Sequence, residues 1–198
     1  MNNNPTIGDL FVLFSPPEGF PTKKKGTTGM CAMFSLKALI EGYGEREIKK
    51  VQHYAQDIFS KISGFMLPFS VQRVLKKEHI PYQKFYGRGL KYEQKLTLLK
   101  NRLKNGPIFL LIANAYGSGI KPNLLRALSH RHYITVRGYD DKKQIFFVYD
   151  SNTKKRIFSG VPIGNSRMPY KTLIKNRSIG ALWLLRSYGI QIFYSKIN

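Results

Sequence analysis

HYITVRGYDDKKQIFFVYDSN, residues 132–152, holds two runs of apolar, β-branched and aromatic residues on either side of a polar turn. Tyr133 to Val136 and Gln144 to Tyr149 read as strands, and the polar GYDDKK between them as a hairpin turn. A hairpin returns the chain to its starting point, which brings Asp150 alongside His132, eighteen residues earlier. A carboxylate there can accept the imidazole N–H, fix its tautomer and stabilise the imidazolium. An ordinary turn at a strand end would account for an acid in Asp150-Ser151-Asn152, but not for its register with the histidine. Asp140 and Asp141 fall at the hairpin tip and read as turn residues.

A histidine with an orienting acid calls for a nucleophile, and the chain has one cysteine. Cys31 follows the glycine-containing turn GTTG (26–29) and opens the apolar run CAMFSLKALI (31–40), which predicts a helix. Thr27 or Thr28 is expected as its N-cap, with Gly42 and Gly44 as its stop. Unbonded N–H groups and the positive end of the helix dipole lower a thiol's pKa at such a position. Lys23, Lys24 and Lys25 push the same way if near in space. Of the other histidines, His53 and His79 fall on helical stretches, and His130 belongs to the loop before the strand.

Further helices are expected over Glu45 to Ile62, Ser70 to Glu78, Tyr92 to Lys104 and about Tyr170 to Lys175. Short strands are expected at 82–86, 107–113, 155–158, 181–185 and 190–194, with a turn at Ser187–Gly189. The connection 114–131 is long enough to serve as a wall or lid beside a cleft. Helices thus fill the first half and antiparallel strands the second, an α+β pattern. One domain over 1–198 is expected: an irregular arm (1–29), a helical lobe (30–105) and a sheet lobe (106–198).

Composition narrows the classes. Hydrophobic residues at 42% and aromatics at 13% exclude a disordered chain. No apolar run reaches the roughly eighteen residues a membrane helix needs. A single cysteine permits no intramolecular disulfide, and no Cys/His cluster has zinc-site spacing. The amino-terminal stretch has an apolar patch without a basic lead-in or a small-residue cleavage site, so the expectation is a mature, cytoplasmic protein, with specialised secretion or packaging left open. The 33 Lys and Arg against 11 Asp and Glu give +22, a surface that attracts nucleic acid, acidic protein segments or anionic headgroups. No nucleic-acid fingerprint accompanies that charge.

Cys31 at a helix start, GPIFLLI (106–112), HYITVRGYD (132–140) and VYDSN (148–152) together resemble the double-glycine, bacteriocin-processing peptidases and their relatives in the papain-like cysteine peptidase superfamily. The closing helix near 170–175 and ALWLL (181–185) are similar as well, so the resemblance spans about 25–195. It implies a papain-like fold, a helical lobe packed on an antiparallel sheet, and a thiol peptidase that needs no cofactor or metal. Cys31 would be the nucleophile, His132 the base and Asp150 the orienter, acting on a protein or peptide through a thioester. The family carries an oxyanion glutamine six residues before its cysteine, where this chain has Lys25; Lys25, Met30 and Asn152 are the oxyanion or substrate-binding candidates. TTGMC also lacks the family's D-C-G. Two rival readings follow: acyl transfer to an amine by the same triad, or a weakly active papain-like protein that binds nucleic acid or an acidic partner through its basic surface.

Overall fold

The computed structural model describes residues 30–41, 49–63, 66–113, 131–151, 153, 164–178 and 188–193. Among them one antiparallel sheet of six strands organises the molecule. The strands are β1 (Tyr82–Tyr86), β2 (Ile108–Ala113), β3 (Arg131–Asp140), β4 (Ile145–Tyr149), β5 (Asn165–Pro169) and β6 (Tyr188–Ile192), in the spatial order β1-β6-β2-β3-β4-β5. The helices are α1 (Cys31–Glu41), α2 (Ile58–Ser63), α3 (Pro68–Lys77), α4 (Tyr92–Leu103) and α5 (Tyr170–Ser178), with a 3₁₀ turn at Val51–Tyr54. The fold is α+β.

Both faces of the central strands are covered, which is why β2 reads IFLLIA without polar alternation. Phe109 and Leu111 pack with Tyr133 and Ile190 against Met33, Leu36, Leu39 and Ile40 of α1 and Val71, Val74 and Leu75 of α3. Ile108 and Leu110 point the other way and pack with Ile134, Val136, Phe146 and Val148 against Leu99 of α4 and Leu173 and Ile174 of α5. β1 departs from the helices-then-strands order: it comes from the helical half yet pairs with β6 at the sheet edge.

Several boundaries differ from the sequence expectations. The helix expected over Glu45 to Ile62 is broken within its described part, where Ala55–Asp57 separate the 3₁₀ turn from α2. The Asp57 carboxylate accepts the Ser60 N–H at 2.7 Å and the Ser60 hydroxyl accepts the Asp57 N–H at 3.3 Å. That reciprocal cap starts a new helix regardless of the apolar periodicity running through it. α3 begins at Pro68 rather than Ser70, because proline's fixed φ and missing N–H suit the first helical turn. β3 runs on to Asp140, and the turn occupies 141–144 instead of 138–143. β6 starts at Tyr188, inside the expected turn. β5 was not foreseen; the strands expected at 155–158 and 181–185 lie outside the described residues.

Candidate active site

α1 opens on the cysteine. The Phe34 N–H bonds to the Met30 carbonyl at 3.1 Å, so the cap is Met30 and Cys31 is the first helical residue. Thr27 and Thr28, the expected caps, lie outside the described residues. The first N–H groups of a helix have no partner within it and carry its positive dipole end. Ala32 gives its N–H to the Cys31 sulfur, and Tyr133, on β3, gives another.

His132 stands second in β3, paired across the ladder with Ile112. Its ring is buried, and Nε2 lies 2.6 Å from Asp150 Oδ1. The Cys31 thiol hydrogen-bonds the same imidazole. With Nε2 engaged by Asp150, Nδ1 is the ring nitrogen left for the sulfur. The acid, the ring and the thiol therefore form one chain of contacts.

The electrostatics follow. Burial pushes the Cys31 thiol up, but the hydrogen bond and charge of His132, with the Tyr133 and Ala32 N–H groups, outweigh it and hold the thiol below its ordinary value of 9.0. Burial alone would lower His132; the hydrogen bonds and negative charges of Asp150 and Cys31 reverse that and push it up from 6.5 to about 10. The shifts run in opposite directions because each partner favours the other's charged form, the thiolate for Cys31 and the imidazolium for His132.

The alignment of Asp150 with His132 depends on a bulge. From the hairpin the ladder runs Asp140–Ile145, Tyr139–Phe146 and Gly138–Phe147, and then shifts to Val136–Val148 and Thr135–Tyr149. Arg137 is the extra residue. Continued without the shift, the hairpin register would set Asp150 opposite Thr135, on the sheet face away from His132. The ladder ends at Thr135–Tyr149; continued one place, the shifted register sets Asp150 opposite Ile134 and diagonal to His132, in keeping with their 2.6 Å contact. Eighteen residues can join this pair only because one of them is absorbed at the bulge.

The end of β4 is held as well. The Asp150 N–H donates to the Gly164 carbonyl at 2.8 Å, and the Thr153 N–H donates to the Asp150 carbonyl at 3.0 Å. Gly164 has a φ of +100°, and a Cβ there would fall on the Tyr149 ring. Neither the bulge nor this turn is visible as a motif, although glycine beside the bulge and before β5 is the signal each leaves.

Of the other expected site residues, Met30 packs its side chain against the apolar core and has no side-chain donor for an oxyanion. Lys25, Asn152 and His130 lie outside the described residues, as does almost all of 114–131. His53 pairs with Glu78 at 3.2 Å, and His79 is in the turn after α3. Asp141 does more than turn the chain: it accepts the Tyr170 hydroxyl at 2.9 Å and pairs with Lys100 at 2.5 Å, pinning the hairpin tip to α5 and α4. Among the described residues no group of three His, Cys, Asp or Glu side chains is arranged to hold a metal, and no helix is long and apolar enough to cross a membrane.

No curated protein sequence matches the chain. Sixteen chains of solved structures do. One is the crystal structure of a double glycine motif protease from an AMS/PCAT transporter in complex with the leader peptide, similar at a TM-score of 0.47 and 10% identity over 87% of this chain and 96% of its own. The model of the Peptidase_C39 like family matches residues 17–162, a span that takes in the cysteine, the histidine and the aspartate. By that match, over well more than half of its length, the chain belongs to the Peptidase_C39 like family and is a cysteine protease-like hydrolase.

Proposed function

We propose that Cys31, His132 and Asp150 act as a catalytic triad that cleaves an amide bond in a peptide or protein through a thioester. The observation that carries this reading is the relay itself: a helix-start thiol bonded to an imidazole whose other nitrogen holds a carboxylate at 2.6 Å. The Cys31 thiolate attacks the carbonyl carbon, forming the C–S bond while the carbonyl π electrons move to oxygen. Backbone N–H groups at the start of α1, that of Cys31 first, are the donors proposed for that oxyanion. As the tetrahedral centre collapses the C–N bond breaks, and the imidazolium gives its proton to the leaving amine. Neutral His132 then takes a proton from water, whose oxygen displaces the sulfur and releases the carboxylic acid. Asp150 keeps the imidazole oriented and stabilises its charged form through both halves.

The substrate reading rests on family membership and charge. A chain at +22 favours a peptide with acidic segments over a basic one, since opposite charge raises encounter rates. The test is the pH dependence of Cys31 alkylation by iodoacetamide. The expected result is rapid alkylation at pH 6, where an ordinary thiol is almost fully protonated. Cys31→Ala abolishes both labelling and peptide cleavage. Wild-type labelling no faster than that of free cysteine at pH 6 would sink the proposal.

A further inference from the structure

Two buried hydroxyls outside the triad tie the helix that carries the thiol to the strand that carries the base. Ser35, one turn after Cys31 on α1, donates its hydroxyl to the Tyr133 carbonyl at 3.0 Å. Thr135, three residues after His132 on β3, donates its hydroxyl back to the Ser35 carbonyl at 3.3 Å. Both residues are 0% exposed. A buried hydroxyl in an apolar layer is destabilising unless bonded, so the contact each makes is strongly specified. α1 also meets the sheet through apolar side chains, Met33, Leu36, Leu39 and Ile40 in one cluster and Ala38 against Tyr149, and such packing tolerates small slides in a way hydrogen bonds do not.

The two bonds are reciprocal, and they share a peptide with the site. The Tyr133 residue gives its N–H to the Cys31 sulfur and its carbonyl to the Ser35 hydroxyl. Four helical residues rise about 6 Å, so Cys31 and Ser35 grip the strand at two points one turn apart. A displacement of α1 along β3 would break the Ser35 bond, the Thr135 bond and the Tyr133-to-sulfur bond together.

We infer that Ser35 and Thr135 are positioning residues: their reciprocal hydrogen bonds fix α1 on β3 and thereby set the separation and charge state of the Cys31–His132 pair. This rests on the triad reading above. A merely structural pair would lower stability when removed and leave the thiol's titration unchanged. Removal of a positioning pair raises the pH at which Cys31 becomes reactive, because a retreating imidazolium no longer offsets the burial that pushes the thiol up.

The experiment follows iodoacetamide alkylation of the full chain from pH 4 to 10 in wild type, Ser35→Ala, Thr135→Val, Thr135→Ser and the double variant Ser35→Ala/Thr135→Val, with thermal unfolding measured alongside. The expected result is an alkylation midpoint displaced toward the ordinary thiol value in Ser35→Ala and Thr135→Val, with a rate at pH 6 down about 10-fold. Thr135→Ser, which keeps the hydroxyl, retains the wild-type midpoint. Thr135→Val preserves volume and carries the test if Ser35→Ala fails to fold. Wild-type midpoints in folded Ser35→Ala or Thr135→Val overturn the inference, whatever happens to the melting temperature. Slow labelling of the wild type itself instead overturns the triad reading, so the two failures are separable.

Discussion

The site is assembled from two junctions of different kind. His132 and Asp150 belong to one hairpin, eighteen residues apart, and a strand ladder brings them together. Cys31 and His132 are 101 residues apart in sequence, on a helix and a strand that meet only because α1 packs on the sheet. The first junction is a matter of register, which is discrete: an odd slip puts the acid on the wrong face. The second is a matter of packing, which is continuous: a helix can slide by fractions of an ångström. Each junction has a matching device, an extra residue at Arg137 for the register and a pair of buried hydroxyls for the slide.

The largest effect is expected where the two junctions meet, at His132. In His132→Ala the burial that pushes the Cys31 thiol up is opposed only by the Tyr133 and Ala32 N–H groups. The thiol returns to its ordinary range or above, and alkylation at pH 6 falls about 10²-fold, as expected for a thiolate fraction that follows pKa. The pair also makes stability depend on pH. His132 is raised, so its contribution is complete below pH 6.5 and is lost as pH rises through about 10. Cys31 is lowered, so its contribution is present above 9.0 and is lost as pH falls through its depressed value. Between 6.5 and 9.0 the two contributions offset, so wild type is expected to lose stability relative to His132→Ala only as pH climbs from 9.0 through about 10, measurable by denaturant titration at several pH values. Parallel pH–stability curves for the two proteins would contradict a charged pair.

Next in size is a test of register. One alanine inserted between Tyr149 and Asp150 moves the acid one place along and across to the other face. Alkylation at pH 6 is expected to fall about 10-fold, the effect of an imidazole that has lost its orienting carboxylate. Deleting Arg137 is expected to do far less to the site. It removes the bulged residue while leaving Val136–Val148 and Gly138–Phe147 opposed, so Asp150 stays diagonal to His132. If the deletion shifts the alkylation profile as far as the insertion does, the bulge is not what matches the spacing to the faces.

The two junctions also differ in how far they could be read from sequence. The strands and the Asp150–His132 pairing follow from composition and from a polar turn, but the turn starts three residues later and ends one residue later than GYDDKK. That error is tied to the bulge: a strand that runs to Asp140 needs one residue out of register, and no propensity marks Arg137 as that residue. Cys31 at a helix start was legible from GTTG and the apolar run after it. Its distance to His132 was not, because that depends on how a helix seats against a sheet formed by residues far along the chain. Ser35 and Thr135 left a trace, single hydroxyls inside CAMFSLKALI and YITV, yet a lone hydroxyl in an apolar run only says that a partner exists. Likewise the helix expected across 45–62 failed at Asp57 because a local side-chain cap outbids apolar periodicity over so short a stretch.

The smallest effect on the site, though not on the fold, is expected at Gly164, and it separates the acid's two anchors. Gly164 accepts the Asp150 N–H at 2.8 Å, so it holds the backbone of the acid, while His132 holds the side chain at 2.6 Å. In Gly164→Ala the methyl group meets the Tyr149 ring, and a φ of +100° strains any L-residue there. The cost expected is about 1–3 kcal/mol of stability, read as a lowered melting temperature. The charge-assisted bond between Asp150 and imidazolium is the stronger of the two, and a carboxylate can follow a shifted backbone by rotating about its own side-chain bonds. The alkylation midpoint should therefore move much less than in the alanine insertion, with the rate at pH 6 within about threefold of wild type. A midpoint displaced as far as the insertion's would mean that the backbone tie at Gly164, rather than the bond to His132, holds the acid in line. The hairpin junction would then be as sensitive to small displacements as the helix–sheet junction.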